Sequence, residues 1–163
     1  MYRKSLSVVL CFLIGLYGFM SPQKSFAQYS RTYTLAVLDL EPNGVSQVEA
    51  RGLSDKLRSH ISQLILDRSI LKDRYELIER TQMDKIFGQF ELQNTGCVSD
   101  SCAVEFGKML QADRIVIGTV SLIGQTYSVI TRIVDVESGK TIRSADRQYK
   151  GAIDEVLVIE IPR

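Results

Sequence analysis

Few residues in this 163-residue chain have types and spacing suited to chemistry. Cys97 and Cys102 come first. Four residues separate them, whereas thiol–disulfide enzymes favour a Cys-x-x-Cys spacing. Cys102 falls near the expected start of a helix, where a thiol's pKa is lowered, so a redox pair is one reading. In an oxidising compartment the default is a structural disulfide. Closing a ring of six residues would stabilise the fold by about 2 kcal/mol in the chain-entropy account. Free thiols and metal binding are the other readings. His60 is the only histidine and lies far away, and two cysteines with one distant histidine are too few for a zinc site.

Asp39 and Glu41 form the second candidate constellation. They follow a short apolar run, Tyr33 to Leu40, that reads as a buried strand, and ligands of open α/β sheets bind at the carboxyl ends of such strands. Two carboxylates there would serve acid–base or metal chemistry. The plainer reading has Asp39 accepting hydrogen bonds from the Asn43 or Gly44 backbone of the following turn. His60 falls beside the apolar stripe of a helix and reads as solvated or at the edge of the core. The Glu41–Ser46 loop has one glycine and one proline, too few glycines to cradle a phosphate. No serine stands in a Gly-x-Ser-x-Gly elbow. Asp135 and Glu137 flank a hairpin turn and read as solvated. No nucleophile, base and metal set converges, so the expectation is a chain that is not an enzyme and has no cofactor.

The elements that position these residues follow from periodicity. After the first strand, Glu41-Pro42-Asn43-Gly44 is turn chemistry. Leu53, Leu57, Ile61, Leu64 and Ile65 then repeat at helical spacing, with Asp55, Lys56, Arg58 and Ser62 between them, and the helix should end near Ser69. Tyr75 to Ile78 reads as a strand. Thr81 with Asp84 three residues on reads as the cap of a second helix, whose apolar stripe is Met83, Ile86, Phe87 and Phe90. Beyond Asn94-Thr95-Gly96 a third helix starts near Ser101, capped by Ser99, Asp100 or Ser101. Three strands follow: Arg114 to Ile123, Tyr127 to Val136 and Thr141 to Tyr149. Gly124-Gln125 and Glu137-Ser138-Gly139-Lys140 are the hairpin turns between them. The last strand is polar and suits a solvated edge; Arg143 and Arg147 mark it as a candidate partner edge. Residues 152–161 lean to a closing helix, since Ile153, Val156, Leu157 and Glu160 fit that spacing, although Val156 to Ile159 also suits a strand. The order β-α-β-α-α-β-β-β, with that closing helix, predicts a mixed parallel and antiparallel sheet flanked by helices.

Met1 to Ala27 reads as a secretory signal peptide. Arg3 and Lys4 lead an apolar run, and Ser25-Phe26-Ala27 places small residues where a signal peptidase reads. An uncleaved anchor is the competing reading, but the run is shorter than a bilayer-spanning helix needs. Cys11 follows Leu10, where a lipid-attachment site wants a small residue. The expected mature chain, Gln28–Arg163, is one domain of 136 residues. Loss of Arg3, Lys4 and Lys24 from the 20 basic residues leaves 17 against 19 acidic ones, a net charge of −2. That leaves no basic field for nucleic acid or anionic membrane, and no later segment is long and apolar enough to span a membrane as a helix.

Several ordered pieces resemble one family: Leu35 to Leu40 with Asn43-Gly44-Val45-Ser46 and Leu53-Ser54-Asp55, then Leu77-Ile78-Glu79-Arg80, Cys97 to Ala103, Ala112 to Gly118 and Val134 to Lys140. Together they are similar to the periplasmic domain of the CsgG family, the curli secretion channel and its relatives. The same domain shape occurs in the TolB N-terminal domain and in LpoB, a lipoprotein activator of a penicillin-binding protein. The resemblance covers about Tyr33 to Gly151. It implies an α/β domain that contacts envelope proteins or its own copies, in the periplasm and in places at the outer membrane through a partner. Pore formation does not carry over, because the loops are too short for the amphipathic hairpins of a barrel and no credible lipid-attachment cysteine is present.

Overall fold

The computed structural model describes residues 31–89 and 97–151. The expected signal peptide, Phe90, the expected turn at Asn94–Gly96 and the expected closing helix at residues 152–161 lie outside the described residues. Within them the fold is a mixed α/β sandwich. The strands are β1 (Tyr33–Val37), β2 (Glu41–Asn43), β3 (Tyr75–Leu77), β4 (Arg114–Ile123), β5 (Thr126–Asp135) and β6 (Lys140–Lys150). The helices are α1 (Gln47–Asp67), α2 (Ser69–Lys72), α3 (Arg80–Gln89) and α4 (Asp100–Met109).

The sheet runs β3-β1-β4-β5-β6, with β2 also paired to β4. β1 is parallel to β3 and to β4, and β2 is parallel to β4. The β4–β5 and β5–β6 pairs are antiparallel hairpins. On one face, α1 lays Leu57, Ile61 and Ile65 over Leu35, Val37 and Val116, and Ala50 and Leu53 over Leu40 and Val120. On the other, Met83 and Phe87 of α3 with Ala103 of α4 cover Ala36, Leu38, Ile115, Ile117 and Val134.

The starts of two helices are fixed by local side-chain contacts, and one differs from the sequence reading. The start of α1 is fixed by a capping box: Ser46 Oγ accepts from Glu49 N, and Glu49 Oε2 accepts from Ser46 N at 2.7 Å. No such box opens α3. That helix already includes Arg80, so Thr81 is its second residue, and Asp84 pairs with Arg80 at 3.6 Å instead.

The first strand, expected to run to Leu40, ends at Val37, and Glu41-Pro42-Asn43, expected as a turn, forms β2; the break between them positions the site. Val37 pairs with Val116, whereas Glu41 pairs with Thr119. Four steps along this line therefore match three along β4, the extra residue of a bulge. Side-chain parity shifts with it. Leu38 packs under α3 and α4, while Leu40, two residues on, packs under α1. Gly118 lies opposite the break, where an added Cβ would come within 2.3 Å of the Ile130 carbonyl and 2.9 Å of Leu40.

Candidate functional site

A broken strand frees backbone groups that must find other partners when buried. Helix α1 supplies them. Ser54 Oγ accepts from Leu40 N at 2.8 Å and donates to Ala50 O at 2.7 Å. Arg58 Nε donates to Val37 O at 3.0 Å. Both side chains are buried.

Asp39, within the break, is only 6% exposed. It does not bond the Asn43–Gly44 turn. Arg58 donates to its Oδ1 at 2.5 Å, and Arg80 donates to its Oδ2 at 2.8 Å. The half-exposed Asp55 completes a ring, accepting from Arg58 at 2.9 Å and from Arg80. Burial alone would depress the pKa of Arg80, but Asp39, Asp55 and Asp84 outweigh it and hold the guanidinium more firmly charged. One buried cation, Arg58, and one partly buried cation, Arg80, thus face two carboxylates, and desolvation is met by charge pairing and by hydrogen bonds. Both Asp39 oxygens are committed, so this carboxylate is not free to act as an acid, base or metal ligand. Glu41 is in β2, paired beside Thr119, with no metal-binding cluster formed among the described residues. A shallow depression of about 330 Å³ lies alongside, lined by residues that include Arg58, Ser62, Gln63, Leu77, Glu79 and Arg80.

The sequence reading names Arg58 only among the polar residues between the apolar positions of its helix. The signal that finds it is positional: Ala50, Leu53, Ser54, Leu57, Arg58 and Ile61 follow an i, i+3, i+4, i+7, i+8, i+11 stripe, so Ser54 and Arg58 are polar residues on a buried face. A second cluster fixes the starts of β1, β3 and β4. The Arg114 guanidinium lies 4.1 Å from the Tyr33 ring centre and 5.3 Å from that of Tyr75, and it donates to the Tyr75 hydroxyl.

Cys97 and Cys102 form a disulfide with Cα atoms 5.6 Å apart. Cys97 is buried in the core with Phe87 and Ala103. Ser99 is the N-cap of α4, its hydroxyl accepting from Cys102 N at 3.2 Å. The ring closed by the disulfide also reaches the sheet. Val98 O accepts from Arg132 of β5. Asp100 pairs with Arg132 at 3.3 Å and accepts from Thr141 Oγ1 of β6 at 2.9 Å.

β6 is the open edge of the sheet, and among the described residues it pairs with β5 alone. From Lys140 to Gln148 every residue is exposed, on both faces. Lys140, Arg143, Arg147 and Lys150 stand against a single acid, Asp146. Arg143 and Arg147 share one face, opposite Ile133 and Val129 respectively. Among the described residues Arg143 has no side-chain partner. His60 is half-buried in α1. Asp135 is not simply solvated: its Oδ1 accepts from the Ser138 N–H and hydroxyl, which hold its pKa below the usual carboxylate range.

This fold has counterparts among solved structures. The LpoB C-terminal domain from Salmonella enterica superposes with a TM-score of 0.58 at 13% identity, over 77% of this chain and 87% of that one. The LpoB C-terminal domain from Escherichia coli gives 0.56 at 14% identity, over 75% and 85%. Lipoprotein GNA1162 from Neisseria meningitidis gives 0.57 at 16% identity, over 73% and 81%. At these identities the likeness establishes a shared fold. No protein-family profile matches the sequence, and no curated protein matches it. Among the described residues no helix is long and apolar enough to cross a membrane.

Proposed function

We propose that this chain is an exported protein of the bacterial cell envelope, a CsgG-type accessory that works by binding other proteins and neither catalyses a reaction nor forms a pore. In this reading Met1–Ala27 is removed on export, Gln28–Arg163 acts in the periplasm as one domain, and any outer-membrane association comes through a partner. The observation that carries the reading is β6: an eleven-residue basic strand that, among the described residues, pairs on one side only, on a domain whose buried acid is consumed by its own arginines. An exposed edge strand accepts an extended segment through main-chain hydrogen bonds, and flanking side chains select it. Four basic side chains against one acid select a segment carrying carboxylates. The fold shared with two LpoB C-terminal domains and a lipoprotein supports an envelope setting.

The test is crosslinking in intact cells, followed by purification of the tagged chain and mass spectrometry. A reproducible envelope protein, or the chain crosslinked to itself, is the expected result. Recovery of uncrosslinked monomer, under conditions that trap a known envelope complex, overturns the reading.

A further inference from the structure

We infer that the Cys97–Cys102 disulfide is a clamp on the β5–β6 hairpin, so that its oxidation state governs how well the β6 edge is presented to a partner. This rests on the edge reading above. Two groups inside the six-residue ring grip the hairpin through three contacts. The Val98 carbonyl and the Asp100 carboxylate hold Arg132 of β5, and the same carboxylate holds Thr141 near the start of β6. Ser99, also in the ring, caps α4. One covalent closure therefore fixes a helix N-terminus and the contacts that tie the outer hairpin to it.

The rest of α4 is attached independently. Gly107 meets the Val136 side chain so closely that an added Cβ would fall 2.4 Å from Cγ2. Val136 N donates to Asp113 O at 3.0 Å. Opening the disulfide should therefore release the first turn of α4 and the Arg132 and Thr141 contacts, while the helix stays docked. Regions held by few contacts open locally without global unfolding. The reductant is a dithiol: its two sulfurs become a disulfide, and Cys97 and Cys102 each take up one electron and one proton.

The experiment is hydrogen exchange followed by mass spectrometry, on the full mature chain without a partner. Three samples are compared: oxidised, reduced with dithiothreitol, and the disulfide-intact Asp100→Ala variant. Exchange in peptides covering 140–145 should rise about ten-fold in the reduced and Asp100→Ala samples, while peptides covering 33–37 keep their protection. Unchanged exchange at 140–145 in the reduced, folded protein overturns the clamp. So does an equal rise in both regions, because the disulfide would then act only on global stability. The second arm is the in-cell crosslink yield of Cys97→Ala/Cys102→Ala, expected to fall at least three-fold; an undiminished yield also overturns the clamp. The edge reading fails separately, when reversing the charge of Arg143 and Arg147 in the oxidised protein leaves the crosslink untouched.

Discussion

The broken strand and the outer hairpin use the same side-chain chemistry to opposite ends. At the break, Asp39 and Arg58 are withdrawn from water, Arg80 is partly so, and every carboxylate oxygen of Asp39 has a donor. On β6, Arg143, Asp146 and Arg147 are exposed, and the edge they line is unpaired among the described residues. Charge at the break is therefore an internal fastener. Charge on the edge is available for contact, and it also discourages indiscriminate strand pairing. A carboxylate near a strand's end does not define a ligand site until its neighbours are known.

The comparison breaks most visibly at Asp39. Asp39→Ala leaves the buried Arg58 guanidinium and the partly buried Arg80 with only the exposed Asp55 between them. Loss of one partner of a buried ion pair costs about 3–5 kcal/mol. Urea denaturation of the oxidised protein should show that loss, and a change under about 1 kcal/mol would mean that water solvates the cluster. Ser54→Ala should come next. It strands the Leu40 amide of the bulge, at about 1–3 kcal/mol. A near-neutral result would show that the break relaxes and the amide finds another acceptor.

The layered fold was legible because its periods are clean. The β4 boundaries and the exposed third strand follow from β-branched runs and glycine turns, and β4 spans Arg114–Ile123 as read. The cap and the cysteine pairing were legible in part, since both are local: Ser99 is one of three candidate caps, and the disulfide is the default among the readings of the two cysteines. The ion ring was not. Nothing local says that Leu38 to Leu40 must bulge, because the extra residue appears only when two strand pieces are aligned on β4, which begins 74 residues after Leu40. Arg58 is a polar residue between apolar positions, and only its place on the buried stripe marks it for the core. Arg80 was missed because the capping signal at Thr81 competed with it. The Ser46–Glu49 box, by contrast, was readable as Ser-x-x-Glu.

Asp113 lies between the two extremes, half-buried at the entrance to β4. Its carboxylate accepts from the Thr34 backbone N–H at 2.9 Å and the Thr34 hydroxyl at 2.8 Å, and pairs with the exposed Arg31 at 2.9 Å. The Thr34 N–H contributes most, followed by the hydroxyl, and together they hold its pKa below the usual carboxylate range. A depressed folded-state pKa gives stability that is fully present above the unfolded value of about 3.9 and is lost as pH falls through the folded value. The stability gap between wild type and Asp113→Asn should thus be constant near neutrality and narrow below about pH 4. A gap that stays flat into acid would mean that Thr34 holds the amide as well as the charge.

The smallest effect on folding, and the most telling one for function, belongs to the edge. Arg143→Glu with Arg147→Glu changes two exposed side chains that support no buried group, so the denaturation midpoint should not move. If an acidic extended segment adds to β6, the same pair of changes places like charges along the new ladder, and association should slow and weaken. The salt dependence separates the causes. Steering by Arg143 and Arg147 makes wild-type binding weaken as ionic strength rises, and the reversed variant should lose most of that dependence. Binding that survives the reversal with its salt dependence intact would move the contact surface away from β6. The open edge would then be a protected margin of the sheet, like the charged edges other proteins use to stay monomeric.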